Sequence, residues 1–196
     1  MKFKFSRIEI KELLFATIML SIAFSLLFGG VSVNALLFLP MMFLVMIFSF
    51  VIHELSHKFM AQKYKYHAEF RANKGMLWIS IALSLFGFII AAPGAVHFFG
   101  EHNIKKTGII AYAGPLSNLV LAAICFGIGI LFFGLSFLTN FSILYLTYFI
   151  NIILAFFNML PVTNFDGAKI WAWNKKVFII TGLIALFLYS VPMMLA

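Results

Sequence analysis

Charged residues are scarce in this sequence. Only 10% of the 196 residues are charged, whereas 64% are apolar. A soluble domain is about a quarter charged and about half apolar. So large an apolar surplus cannot be hidden in the core of one small globule, and lipid is the expected solvent for most of the surface. The length is that of one domain, which we assign to residues 1–196.

Cysteine is almost absent as well. The single thiol, Cys125, lies inside an apolar run, so no disulfide can form within the chain. We interpret this thiol as a buried side chain that packs like a small hydrophobe.

Negative charge is the scarcer sign, with 6 acidic residues against 14 basic ones. The basic residues follow or precede apolar runs, which is the pattern of the positive-inside rule. This placement excludes an extended basic surface, and we therefore predict no nucleic-acid binding. The basic groups are Lys2, Lys4, Arg7 and Lys11; Lys58, Lys63, Lys65, Arg71 and Lys74; Lys105 and Lys106; and Lys169, Lys175 and Lys176.

Five apolar segments are long enough, or nearly so, to cross a bilayer as helices of about 20 residues. A sixth stretch, Met76 to Ala92, is shorter and contains Gly87. The sequence therefore predicts an all-α polytopic membrane protein with five to six transmembrane helices. The five segments cover residues 12–29, 35–60, 107–134, 139–161 and 177–196.

The basic residues also indicate how the sixth stretch behaves. With a cytoplasmic N-terminus, every basic group falls on the cytoplasmic side only if residues 76–92 do not cross. Such a segment must dip and return against protein or water. We expect a re-entrant or short β segment at about residues 66–100. Within it, residues 88–98 could form a strand, and residues 79–83 either a strand or a short helix.

The chemistry is concentrated in His53-Glu54-Leu55-Ser56-His57, an H-E-x-x-H motif at the end of the second apolar segment. In a helix the two imidazoles lie one turn apart on one face and can converge on one metal ion. Glu54 projects about 100° away and can take a proton from a bound water. Ionisable groups at membrane depth are functional by default. The motif therefore predicts a catalytic metal site, with Glu54 as general base.

A catalytic zinc usually has three protein ligands and keeps a fourth position for water. Asp166 is the only aspartate in the chain, and it follows the fourth span. Pro161 interrupts helical hydrogen bonding and Gly167 permits unusual backbone angles, so the carboxylate can turn inward. If residues 76–92 do not cross, Asp166 is on the same side of the membrane as His57. Asp166 is therefore the favoured third ligand.

Three blocks of sequence resemble the site-2 protease family of membrane metalloproteases, peptidase family M50. Their order and spacing match the three-helix catalytic core of that family over about residues 35–170. The blocks are the H-E-x-x-H motif, Ala113-Gly114-Pro115-Leu116-Ser117-Asn118, and Phe156-Phe157-Asn158-Met159-Leu160-Pro161 followed by Phe165-Asp166-Gly167.

The resemblance implies one zinc ion per chain, bound by His53, His57 and Asp166, with Glu54 activating water. It also implies that the segment after the H-E-x-x-H helix helps to present the substrate as an extended strand. Asn158 matches a family asparagine near the active site. Its role would be substrate binding or oxyanion polarisation, or else plain hydrogen bonding between helices.

The function implied is that of a zinc-dependent intramembrane endopeptidase, which hydrolyses peptide bonds in or near transmembrane segments of membrane proteins. The chain would be a multi-pass protein of the cell membrane, with its active site toward the cytoplasmic side. Two alternatives stay open: a catalytically idle membrane scaffold of the same fold, and a metal-transporting membrane protein. No oligomeric state follows from the sequence.

Overall fold

The described residues form eight α-helices and one small sheet, which packs against the first and third of these helices. The computed structural model describes residues 4–90, 93–99, 103–138, 142–162 and 165–195. A π-helical turn joins α2 to α3, and a 3-10 turn follows α5. The elements are α1 (Arg7–Gly29), α2 (Val33–Met46), the π turn (Ile47–Val51), α3 (Ile52–Lys63), β1 (His67–Ala72), α4 (Lys74–Ser84), β2 (Gly94–Phe99), α5 (Ile104–Phe133), the 3-10 turn (Gly134–Leu138), α6 (Ile143–Asn158), α7 (Asp166–Trp173) and α8 (Lys175–Leu195).

Three predicted segments fall partly outside the described residues. Residues 91–92 and 100 belong to the predicted re-entrant segment, residues 139–141 begin the predicted fourth span, and residue 196 ends the fifth. The structure does not describe these residues.

Polar caps determine where several helices begin. At the start of α1, the Ser6 hydroxyl accepts a hydrogen bond from the Glu9 main-chain N–H, and the Glu9 carboxylate accepts one from the Ser6 N–H. This capping box satisfies two main-chain donors that the first helical turn leaves unpaired. Side-chain oxygens accept from first-turn N–H groups at the start of five further helices, at Ser32, Asn73, Asn103, Ser142 and Asn174.

Three helical stretches in the described part of the chain are long and apolar enough to cross a membrane. They are Arg7–Gly29, Val33–Lys63 and Ile104–Leu138. Helix α6 is also apolar but has 16 residues. Large apolar side chains remain exposed on these helices, as expected of surfaces that face lipid. The total number of spans stays a prediction. Exposed examples are Leu37, Phe48, Leu131 and Phe132.

The described residues form one sheet of two antiparallel strands, β1 and β2, with α4 between them in sequence. The register pairs Ala68 with Phe98, Phe70 with Val96 and Ala72 with Gly94. Residues 79–83 lie in α4, so the helical alternative is the correct one for them. The strand expected at 88–98 is confined to 94–99, and its partner is 67–72.

Helix α4 is too short to cross a bilayer on its own. Its 11 residues rise about 16 Å, roughly half the thickness of the hydrocarbon core. It packs along α1, and its side chain Leu77 is fully buried. This length is compatible with a segment that enters the membrane and returns.

The main core lies between α1, α2, α6 and the sheet. Its side chains come from elements far apart in sequence, which is why the short β segment is held against the long helices. Fully buried members are Leu20, Phe24, Met42, Met46, Phe70 and Leu146.

Candidate metal centre

Helix α3 places the two imidazoles of the H-E-x-x-H motif on one face. His53 and His57 are buried, and their Nε2 atoms are 3.0 Å apart. The rings are nearly perpendicular, with centroids 4.6 Å apart. The two nitrogens therefore face one common point, as the i and i+4 spacing predicts.

The carboxylate of Asp166 reaches the same point from the first residue of α7. Its Oδ2 atom lies 3.4 Å from Nε2 of His53 and 3.0 Å from Nε2 of His57. One ligand atom from each residue lies within 4.8 Å of the other two. The structure thus brings together the three residues predicted as ligands, and their role in binding a metal stays a prediction.

Close packing at Gly167 holds Asp166 in place. A Cβ atom at position 167 would overlap the carbonyl oxygens of Met159 and Leu160. The chain therefore needs glycine here so that the start of α7 can approach the end of α6.

The outward nitrogens of both imidazoles are hydrogen-bonded. Nδ1 of His57 lies 2.8 Å from the carbonyl oxygen of Ile110 on α5, and Nδ1 of His53 lies 2.5 Å from Oδ1 of Asn118. A carbonyl oxygen can only accept, so each Nδ1 carries the proton. In the neutral ring, each Nε2 then has a lone pair directed at the common point, the arrangement typical of metal-binding histidines.

Three buried polar residues, Ser49, Asn118 and Asn151, form what we call the amide cluster. Nδ2 of Asn118 donates to the carbonyl oxygen of Ser49 at 3.1 Å and to Oδ1 of Asn151 at 2.7 Å. Nδ2 of Asn151 donates to the Ser49 hydroxyl at 2.8 Å. These bonds orient the Asn118 amide, so that its oxygen faces His53.

Ser49 lies in the π-helical turn between α2 and α3. A π turn shifts main-chain carbonyls out of the regular α-helical ladder, and such turns are frequent at functional sites. Here the carbonyl of Ser49 accepts from Asn118 on α5. The irregular turn thus contributes an acceptor to the amide cluster.

Gly114 allows α5 to approach the ligand helix closely. A Cβ atom at this position would overlap the ring of His57 and the Cε1 atom of His53. Any larger residue would displace the imidazoles, so the two rings can occupy these positions only if residue 114 is glycine.

Glu54 lies beside the ligands and is buried. Its Oε2 atom has no hydrogen-bond partner among the described residues. A buried acceptor without a partner has a high desolvation cost, which is typical of groups that act on a ligand. Glu54 and the three predicted ligands line one cavity.

The rest of the cavity wall comes from β2, α5, the end of α6 and α7. Asn158 ends α6 and donates to the main-chain oxygen of Leu154 at 2.9 Å. Lys169, one turn after Asp166, places its Nζ 3.6 Å from Oδ1 of that carboxylate. The other wall residues are Gly94, Ala95, Val96, Phe98, Ile110 and Ala111.

Comparison with known proteins establishes the relationship of the chain. The sequence profile of peptidase family M50 matches residues 41–143, which is more than half of the chain. The chain belongs to peptidase family M50. The matched range contains the H-E-x-x-H motif and ends before Asp166.

This M50 chain is 37% identical over 183 residues to a protein of Methanocaldococcus jannaschii that is provisionally named a zinc metalloprotease, and the match covers 92% of both chains. It is 29% identical over 151 residues to a similarly named protein of Bacillus subtilis, covering 67% of this chain and 68% of the other. No solved structure matches the chain. The family and these relatives support a metalloprotease.

The residues around the ligands were harder to find from sequence than the ligands. The roles of Ser49, Asn151 and Lys169 were not predicted, and Asn118 was noted only as part of a block. Polar amides inside apolar segments were the available signal for the asparagines. For Lys169 it was the i and i+3 spacing from Asp166 on a helix.

The donor set of this M50 site fits zinc. Two neutral imidazole nitrogens and one carboxylate oxygen are ligands that zinc accepts, and three protein ligands leave a position open for water. Glu54, whose Oε2 atom has no hydrogen-bond partner among the described residues, lines the same cavity as these three residues.

Proposed function

We propose that this M50 chain is a zinc-dependent intramembrane endopeptidase, which hydrolyses peptide bonds in or near the transmembrane segments of membrane proteins. The observation that carries the proposal is the convergence of His53, His57 and Asp166 beside the Glu54 carboxylate, in a chain with long apolar helices. Family membership supports peptide hydrolysis, and the helices support the membrane setting.

One zinc ion per chain would be held by Nε2 of His53, Nε2 of His57 and Oδ2 of Asp166. When bound, zinc supplies a Lewis acid that polarises a carbonyl oxygen and activates water. Glu54 takes the proton of the attacking water and transfers it to the leaving amine. Lys169 holds the second oxygen of Asp166, which leaves one oxygen directed at the histidines.

Strand β2 supports an extended substrate. It forms one wall of the cavity, and β1 occupies only one of its two edges. A peptide that adds to the other edge would be extended, with its main chain accessible beside Glu54. A helical substrate must unwind first, because its carbonyls are engaged in its own hydrogen bonds.

Asn158 is the proposed substrate-binding residue. It lines the cavity, and its amide donates within its own helix, to Leu154. This bond gives no support to the alternative of a hydrogen bond between helices. We place the protein in the cell membrane as a multi-pass protein with its site toward the cytoplasm, because the basic groups then share one side.

The test uses the full chain in liposomes with synthetic single-pass peptides, whose Leu/Ala helix is weakened by a Gly-Pro pair near one end. Cleavage fragments are identified by mass spectrometry. We expect Glu54→Gln to abolish cleavage while the zinc content stays at that of the wild type. Glu69→Gln, a matched change on β1 outside the cavity wall, should keep wild-type activity. Chelation of zinc should stop wild-type cleavage, and added zinc should restore it.

Each alternative predicts a different result. Full activity of Glu54→Gln would contradict the assignment of the base. Bound zinc without cleavage of any peptide would indicate a scaffold, and zinc flux into the liposomes without cleavage would indicate a transporter.

A further inference from the structure

The outer edge of β1, which faces away from β2, is covered by side chains of other elements. The main-chain N–H of Phe70 donates to Oε1 of Glu9 at 3.0 Å, and the N–H of Ala72 donates to Oε2 of Glu12 at 3.0 Å. The carbonyl oxygen of Ala68 accepts from Nζ of Lys58 at 3.0 Å. An uncovered strand edge would be able to pair with another strand. This edge is closed.

A buried ion pair holds these contacts together. Nζ of Lys58 lies 2.6 Å from Oε1 and 2.5 Å from Oε2 of Glu9, and both residues are 1% exposed. The sequence groups Lys58 with the basic residues at the end of the second apolar segment, and the structure shows that its charge is paired and buried. Because Lys58 follows His57 in α3, the pair links the ligand helix to α1 and β1.

The alternation of the strands shows which groups of β2 face away from β1. Neighbouring residues of an antiparallel strand direct their main-chain groups to opposite edges. Residues 68, 70 and 72 direct their main-chain N–H and C=O groups away from β2. Residues directly opposite each other share this direction, so the main-chain groups of their β2 partners point away from β1. These partners are Phe98, Val96 and Gly94. All three partners line the cavity that contains Glu54. The edge without a strand partner among the described residues is therefore the one beside the metal site.

We propose that Glu9, Glu12 and Lys58, together called the edge clamp, are positioning residues that set the register in which an extended substrate pairs with β2. This inference rests on the proposed function. The clamp bonds to alternate residues of β1, so it fixes the sheet along the strand direction as well as across it. A slip that keeps the side chains on the same face moves by two residues, or about 7 Å. Such a slip would break all three contacts and present a different peptide bond to the site.

The ion pair is better explained by position than by stability. Buried ion pairs can often be replaced by apolar side chains of similar volume without loss of stability. Apolar contacts between α1 and β1 would still hold them together, but they would resist sliding less than directional hydrogen bonds do. We therefore expect loss of the clamp to change the alignment of the substrate more than the stability of the protein.

The test compares Glu12→Leu with Glu69→Leu in the full chain in liposomes. Glu12 and Glu69 are both half-buried, and only Glu12 bonds to the β1 edge. A second variant, Glu9→Gln with Lys58→Met, removes the ion pair without leaving an unpaired buried charge. The measurements are zinc content, hydrogen–deuterium exchange of residues 66–73, KM and kcat, and the positions at which the single-pass Leu/Ala peptides are cleaved.

We expect both clamp variants to keep wild-type zinc content and to exchange the β1 amides faster. KM should rise about tenfold, the loss expected for one charge-assisted hydrogen bond, while kcat changes less. New cleavage positions should appear two residues from the wild-type position, and Glu69→Leu should behave like the wild type. Faster exchange with unchanged KM and cleavage positions would overturn the inference, and so would unchanged exchange. If the wild type cleaves no peptide, the proposed function itself fails.

Discussion

At the scale of single residues, the imidazoles of the two predicted ligands are held by groups outside the predicted ligand set. The carbonyl of Ile110 and the amide oxygen of Asn118 each accept from one Nδ1 atom. Gly114 leaves the space that both rings occupy. The Nε2 atoms are therefore aimed before any metal arrives, which lowers the cost of assembling the site.

The space at Gly114 gives a direct prediction. Gly114→Ala places a methyl group where the rings of His53 and His57 lie, so both nitrogens must move. We expect zinc affinity to fall by at least about tenfold and cleavage by about 100-fold, as is typical of a 1 Å misplacement. Zinc titration and peptide cleavage would measure the two effects.

Gly127→Ala is the matched control for this change. Gly127 lies in the same helix, and a Cβ atom there would meet nothing within 4 Å. It should bind zinc as the wild type does. Equal zinc affinity in the two alanine variants would contradict the role given to Gly114.

The amide cluster predicts a graded series. Asn118→Leu removes the acceptor of His53, Asn151→Leu removes a group that orients Asn118, and Ser49→Ala removes only a hydroxyl bonded to Asn151. Zinc affinity should fall most for the first, by about 10- to 100-fold, and least for the last. The absorption spectrum of the cobalt-substituted protein should change in the same order.

Ser117→Ala is the control for the series, because the Ser117 hydroxyl bonds to Gly114 within its own helix turn. It should leave the zinc affinity and the cobalt spectrum unchanged. Equal zinc affinities and cobalt spectra in the three cluster variants and the wild type would show that the amide cluster contributes only to packing.

The predicted ligand set could be derived from sequence because its signals are local or rare. The two histidines have a fixed spacing on one helix, and Asp166 is the only aspartate. The bond between Asn118 and His53 joins residues 65 positions apart. Which amide in an apolar segment faces which ligand depends on how α3 and α5 pack, and no local pattern contains that information.

At the scale of elements, the sheet is a second feature that a local sequence pattern does not predict. Strand β1 has six residues, and its alternation of buried Ala68 and Phe70 with more exposed neighbours is too short to be distinctive. Its partner lies beyond α4, so the pairing is non-local. The helical character of residues 79–83 was only one of two alternatives, because short apolar runs suit both a helix and a strand.

Gly94, the first residue of β2, provides a prediction at this scale. Its φ of +148° is rare for other residues, and a Cβ atom would overlap the carbonyl oxygen of Arg71. Gly94→Ala should cost about 1–3 kcal/mol of local stability and loosen the sheet beside the cavity. KM should rise more than kcat falls, with zinc content unchanged.

Gly75→Ala serves as the control, because its Cβ would meet Asn73 Oδ1 at an ordinary 3.6 Å. Steady-state kinetics of the two variants and hydrogen exchange of β2 make the comparison. A wild-type KM in Gly94→Ala would contradict the proposal that the sheet takes part in substrate binding.

At the scale of the whole molecule, orientation in the membrane can be tested with single cysteines. In a Cys125→Ala background, cysteines replace Lys63, Lys105, Lys175 and Val31, all of which are exposed. We expect the first three to react with a membrane-impermeant thiol reagent from one side and Val31→Cys from the other. Reaction of Lys105→Cys on the side of Val31→Cys would show that the segment containing α4 crosses the bilayer.

The helical stretch from Val33 to Lys63 is longer than a bilayer requires. Its 31 residues extend about 46 Å, against about 30 Å for the hydrocarbon layer. Twenty residues counted from the apolar end finish at Ile52, so an upright helix delivers the histidine pair to the lipid–water boundary. A peptide bond brought there lies near the fraying end of a membrane helix, where water compensates the broken helical bonds. Cuts should therefore cluster at juxtamembrane residues.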